Sequence, residues 1–318
     1  MTEGELEKRF GELFFPYATR KQDEVKAKGS RFVHYSTADA AVKILKSREV
    51  WMRKTTTMND FMEVEYGFEL LRSAYAGDAG APLKAILERL FPGAREELEE
   101  RFNSWLPTFR NETFITCISE HLDHEDAIGR LSMWRAYGGG NGVAVVLNNT
   151  AFATASDALK AYTSPVAYVS AAQFDREFTQ ISNSLAGSED FLALIGRDAV
   201  ISNVFTMMRF MIVGTKHPGF HEELEWRILH TPSLEPSERL PRSIEVIQGV
   251  PQVVHKIPLK SYPDEGFIGA EIPELVERII IGPSLNGYAM RDAFVSILED
   301  AGMRDAEARV YVSDIPLR

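Results

Sequence analysis

The hydrophobic pattern of the chain switches repeatedly between a period of two and a period of 3.6, and these switches predict the elements. RFVHYST from Arg31 alternates as a strand, with Phe32, His34 and Ser36 on one face and Val33 and Tyr35 on the other. TADAAVKILKS is an amphipathic helix carrying Ala41, Ile44 and Leu45 on one side, EVWMRK is a second strand, and TTTMND is a polar loop ending at Asp60. Helical periodicity follows from Phe61 to Ala76 and from Pro82 to Trp105, joined by GDAGAP. NETFITCISE reads as a strand, HLDHED as a polar loop, IGRLSMWRAYG as a helix stopped by the glycines from Gly138, and VAVVLNN as an apolar strand. AFATASDALKAY has helical spacing, PVAYVS is a strand, and a long helical stretch runs from Ala171 to Val213 with an interruption near Gly187.

The stretch KHPGFHEELEWRIL, from Lys216, carries the most chemistry. From Glu223 the residues alternate, so that Glu223, Glu225 and Arg227 point to one face and Leu224, Trp226 and Ile228 to the other. After a Pro/Ser/Glu loop from Thr231 to Arg242 come the strands SIEVIQG and VVHKIPL, then ERIIIGP, whose three isoleucines predict a strand buried on both faces. Residues 287–302 are helical and RVYVSDI closes the chain. Strands and helices alternate without a regular βαβ rhythm. The prediction is therefore an α+β fold with a mixed, mainly antiparallel central sheet and flanking helices. Residues 1–30 form a helical lead-in, and 31–318 form one domain with helical insertions at about 61–106 and 171–213.

Composition narrows the function. A net charge of −11 over 318 residues disfavours a protein that coats nucleic acid through its phosphates. The single cysteine, Cys117, fits a reducing cytoplasm, and the acidic start lacks the basic and apolar regions of a signal peptide. The apolar run VFTMMRFMIVG is short and broken by Arg209, so no membrane span is expected.

Carboxylates two apart on a strand sit roughly 7 Å from each other. With Arg227 beside them, Glu223 and Glu225 suit acid/base work or the stabilisation of a sugar cation; a solvated, self-satisfied strand face is the alternative. His34, at the end of a strand and before a helix start, is either a satisfied core residue or a ligand contact with Ser36, which can also cap the helix, and Asn59 is either a turn residue or a further contact. Trp134 and Tyr137, three apart, could line a pocket for a flat ring, although core packing is the commoner fate of such a pair. The GGGNG run lies between a helix and a strand, the wrong order for a phosphate loop, and reads as a helix stop and turn. The histidines at 121, 124, 217 and 221 lack the spacing of a metal site, and no metal is assigned.

Taken together, HYST, MND, FITCIS, SMWRAYG, EELEWR, IIIGP and VSDIPLR resemble the bacterial family called domain of unknown function 2971, from about residue 31 to the end. The early strand ending in His-Tyr-Ser/Thr and the late strand bearing a glutamate are also similar to the ADP-ribosyltransferase fold. That second resemblance implies an enzyme that cleaves NAD and passes ADP-ribose to a protein or nucleic-acid acceptor, as a toxin or phage-defence effector. It makes His34 the ribose contact, Glu225 the catalytic glutamate with Glu223 in support, and one of Tyr35, Trp134 and Tyr137 the nicotinamide partner. Two other readings follow from the charged strand: a metal-dependent nuclease using Glu223, Glu225, Arg227 and Asp60, or a non-catalytic sensor or interaction module.

Overall fold

The computed structural model describes residues 2–57, 61–153 and 156–316. Its strands are β1 (Arg31–Thr37), β2 (Glu49–Lys54), β3 (Phe114–His121), β4 (Gly142–Leu147), β5 (Tyr162–Pro165), β6 (Ala167–Tyr168), β7 (Thr215–Lys216), β8 (Glu225–His230), β9 (Arg242–Ile247), β10 (Val250–Pro258), β11 (Val276–Ile281) and β12 (Val310–Val312). The chain divides into two compact units, residues 1–23, 55–113 and 164–221 forming one and residues 24–54, 114–163 and 222–318 the other. Residues 1–23 of the expected lead-in and the two expected insertions fall in the first unit, and residues 24–30 fall in the second.

The first unit is mostly helical. Helices Phe61–Ala76 and Arg197–Val213 approach so closely that a Cβ at Gly67 would strike the Ile212 carbonyl. The single helix expected from Pro82 to Trp105 is two, Ala81–Leu90 and Ala94–Asn111, because Phe91-Pro92-Gly93 supplies a stop and a turn. Likewise 171–213 holds three helices, Ala171–Ala186, Glu189–Ile195 and Arg197–Val213, parted at Gly187 and Gly196.

The second unit holds a mainly antiparallel sheet in the order β12-β11-β4-β1-β3-β2-β10-β9, with β8 added to β3. β11 and β12 run parallel within it. Its core is built on both faces. One face buries Phe32, Ile118, Val145, Trp226, Ile279 and Ile281 beneath helices Ala38–Ser47 and Gly287–Asp300, through Ala41, Leu45, Phe294 and Leu298. The other buries Val33, Tyr35, Ala144, Val146 and Ile280 against Met133 and Trp134. The three isoleucines of β11 divide between the two cores, as a strand covered on both sides requires. Of the helix expected over AFATASDALKAY, Thr150–Ala153 is helical; from Ser156 on the tract is not, since Ser156 accepts from the Ala158 amide and Lys160 turns left-handed at φ 52°.

Candidate functional site

The ladder around β3 is split. β1 pairs with β3 at Arg31–His121, Phe32–Glu120 and Val33–Ser119 and then leaves it, continuing along β4 from His34 to Thr37. β2 pairs with β3 only at Arg53–Ile115 and Lys54–Phe114. On the opposite edge, β8 follows β3 without a break from Phe114–His230 to Ser119–Glu225. Over Thr116–Ile118, therefore, β3 ladders with β8 but with neither β1 nor β2.

His34 sits at this split. It is half-buried, and its Nδ1 donates to the Cys117 carbonyl at 2.9 Å, since a carbonyl oxygen only accepts. Burial holds the imidazole below its usual pKa, partly offset by that hydrogen bond, so the ring is neutral near pH 7. With the proton on Nδ1, Nε2 carries a lone pair and has no partner among the described residues. A neutral histidine in this tautomer accepts from a hydroxyl. Ser36, on the same face of β1, is half-buried and donates to the Thr37 carbonyl.

Glu225 and Arg227 lie across β3 from this position. Both are buried, and Arg227 donates through Nε to Glu225 Oε1 at 2.8 Å and through Nη2 to Oε2 at 3.4 Å. A guanidinium keeps its charge, so burying Arg227 requires the carboxylate beside it. Register places Glu225 opposite Ser119 and Arg227 opposite Cys117, so that Ser119, Glu225 and Arg227 form a buried polar row with the half-buried Cys117. Ser119 also pairs with Val33, so the row shares a face with Val33 and Tyr35, while His34 alternates to the other face with Phe32 and Val145. The two predicted key residues thus border the same stretch of β3 from its two edges, on opposite faces. They do not converge side chain to side chain.

The remaining expected site residues scatter. Glu223 is not on β8: it ends the 3-10 turn Pro218–Glu223, and Leu224, left-handed at φ 45°, breaks the alternation that put Glu223 and Glu225 on one face. Trp134 is a core residue. Its Nε1 donates to the Ile128 carbonyl, Tyr35 packs edge-on at 4.9 Å, and Gly282 backs the ring so closely that a Cβ would stand 2.9 Å away. Tyr35 is buried with its hydroxyl accepting from the Arg130 amide, and burial raises its pKa. Tyr137 alone keeps an exposed ring, on the π-helical turn Trp134–Gly138, where its hydroxyl donates to Glu223 at 3.3 Å. Asn59 and Asp60 lie outside the described residues.

Sequence reasoning passed over a charged network at the far end of β1 and β3. Arg31 bonds Asp123, Asp126 and Glu277, and His121 bonds Asp126 at 2.8 Å. Burial, reinforced by the Arg31 charge, lowers the His121 pKa. Burial would raise Asp126, but hydrogen bonds from His121 and Arg31 outweigh it and lower the carboxyl. Next to this network Arg130 grips Glu125 through Nε at 2.6 Å and Nη2 at 2.9 Å. Among the described residues no three His, Cys, Asp or Glu side chains gather to hold a metal, and no single helix is long and apolar enough to cross a membrane.

Residues 133–228 match the model of a family described as protein of unknown function, DUF2971, a segment that runs from Met133 through the β8 pair. No curated protein and no solved structure matches the chain.

Proposed function

We propose that this chain, which carries the DUF2971 segment, is an ADP-ribosyltransferase-like enzyme. It would bind NAD in the split between β1 and β3 and pass ADP-ribose to a protein or nucleic-acid acceptor. The observation that carries the reading is His34: a neutral ring fixed by Cys117, with an open Nε2, beside a break in the ladder. Such a ring accepts from a ribose hydroxyl. From β1 to β8 is two strand spacings, about 10 Å. A dinucleotide exceeds that length, so a ligand that threads the split from the face of His34 to the face of Glu225 is long enough to meet both, although the two side chains do not touch.

In the reaction the bond between ribose C1′ and the nicotinamide nitrogen breaks, and its electron pair leaves with nicotinamide. An acceptor oxygen or nitrogen bonds C1′ and releases a proton. The ribose passes through a cationic state that a fixed carboxylate stabilises, and Glu225 is that carboxylate. Of the three aromatic candidates, Tyr137 alone has a ring open to a ligand.

Calorimetric titration with NAD tests the reading. Binding by the wild-type chain that is abolished in a His34→Ala variant of unchanged melting temperature is the expected result; no heat with the wild-type chain overturns it. A second reading is favoured by one observation, the engagement of both Glu225 oxygens by Arg227. It makes the chain a sensor that binds the dinucleotide without cleaving it. Release of nicotinamide separates the two readings.

A further inference from the structure

The geometry points to Arg130 as the residue that positions Glu225. Its side chain reaches three segments at once. Nε and Nη2 are anchored on Glu125, Nη2 also donates to the Glu120 carbonyl at 2.8 Å, and Nη1 donates to the Glu222 and Glu223 carbonyls at 2.8 and 3.2 Å. The end of β3 is thereby tied to the turn that delivers β8. In that turn Leu224 is held left-handed at φ 45°, a conformation that costs a residue with a Cβ on the order of 1 kcal/mol and persists only where neighbours impose it. Its carbonyl accepts from the Glu120 amide at 2.9 Å, which closes the turn onto β3.

The consequence is one of register. Successive residues of a strand face opposite sides, so a slip of one position at the start of β8 would bring Trp226 to the polar row and send Glu225 into the apolar core. Glu120 opposes such a slip twice, through its amide to Leu224 and through its carboxylate, which accepts from Trp226 Nε1 at 2.9 Å. Arg130 fixes the carbonyls that precede Leu224. It touches no reacting atom and acts through the strand it sets. The functional half of this inference rests on the NAD-cleaving role of Glu225; the structural half does not.

The full-length chain and its Arg130→Gln, Arg130→Lys and Glu125→Gln variants test it, by hydrogen exchange at the Glu120 amide and by NAD turnover. In Arg130→Gln the Glu120 amide is expected to exchange at least tenfold faster while the Val145 amide, in the β1–β4 ladder, is unchanged. kcat is expected to fall at least tenfold with KM within twofold, and Arg130→Lys to recover part of both effects. Unchanged exchange at Glu120 in folded Arg130→Gln overturns the inference, as does a loss confined to KM. If Arg130→Gln does not fold, Glu125→Gln, which removes the anchor and leaves the guanidinium, is judged by the same criteria. A wild-type chain that does not turn over NAD sinks the transferase reading alone, because the exchange result still decides whether Arg130 holds the turn.

Discussion

The two strands that flank β3 treat their polar residues in opposite ways. On β8, Glu225 and Arg227 engage each other in a buried row. On β1, His34 satisfies one ring nitrogen and keeps the other open at a split in the sheet. The first arrangement is expensive to dismantle, because either partner alone is a buried charge. The second costs little to remove, yet it is the one a hydroxyl-bearing ligand can use. Stability and ligand readiness are thus carried by different strands, and mutations separate them.

The largest expected effect lies on β8. Arg227→Ala or Glu225→Ala breaks the buried pair in the polar row and is expected to lower unfolding free energy by about 3–5 kcal/mol, measured by urea denaturation. A loss below about 1 kcal/mol would show that the row is hydrated and the contrast with β1 false. On the same face, Gly282→Ala drives a methyl toward the Trp134 ring and is expected to destabilise by about 1–3 kcal/mol by the same assay.

The pH dependence probes both faces together. His34 on one face and His121 on the other have lowered pKa values. Their stability contributions are complete above the unfolded-chain value of about 6.5 and are lost as pH falls below it, because the unfolded chain takes up the proton first. Each adds a slope of at most about 1.4 kcal/mol per pH unit. His34→Gln is expected to remove its share of the fall between about pH 6.5 and 5, as measured by thermal melts across that range. At neutral pH it is expected to cost only about 1 kcal/mol, the value of one hydrogen bond, which makes it the mildest of the four.

Much of the strand content was legible from alternation alone. The division of β8 into Glu225 and Arg227 on one side and Trp226 on the other follows from it, as does the sharing of one face of β1 by Phe32 and His34. What alternation in a single strand does not carry is the parity between strands. Whether His34 faces with Glu225 depends on Val33 meeting Ser119 and Ser119 meeting Glu225, a two-step registration across β3 that leaves no mark within either strand. The displacement of Glu223 was hidden for another reason. A left-handed leucine has no sequence signal, since glycine or asparagine is the usual occupant of that conformation. Arg130 and Glu125, five apart in and beyond a polar loop, carry no helical or strand spacing that would have linked them. The split in the ladder came from outside both motifs, from β2 taking up β3 at Ile115.

One indole, that of Trp134, lies against Gly129, Gly142 and Gly282, three positions spread over nearly half the sequence. A methyl at Gly282 is accommodated only after that ring has shrunk, whereas Gly142 is closed as well by the Gly138 backbone at 2.7 Å and Gly129 by its left-handed φ of 70°. The sequence can therefore drift at Gly282 by one order of substitution and not by the other, the tryptophan having to change first.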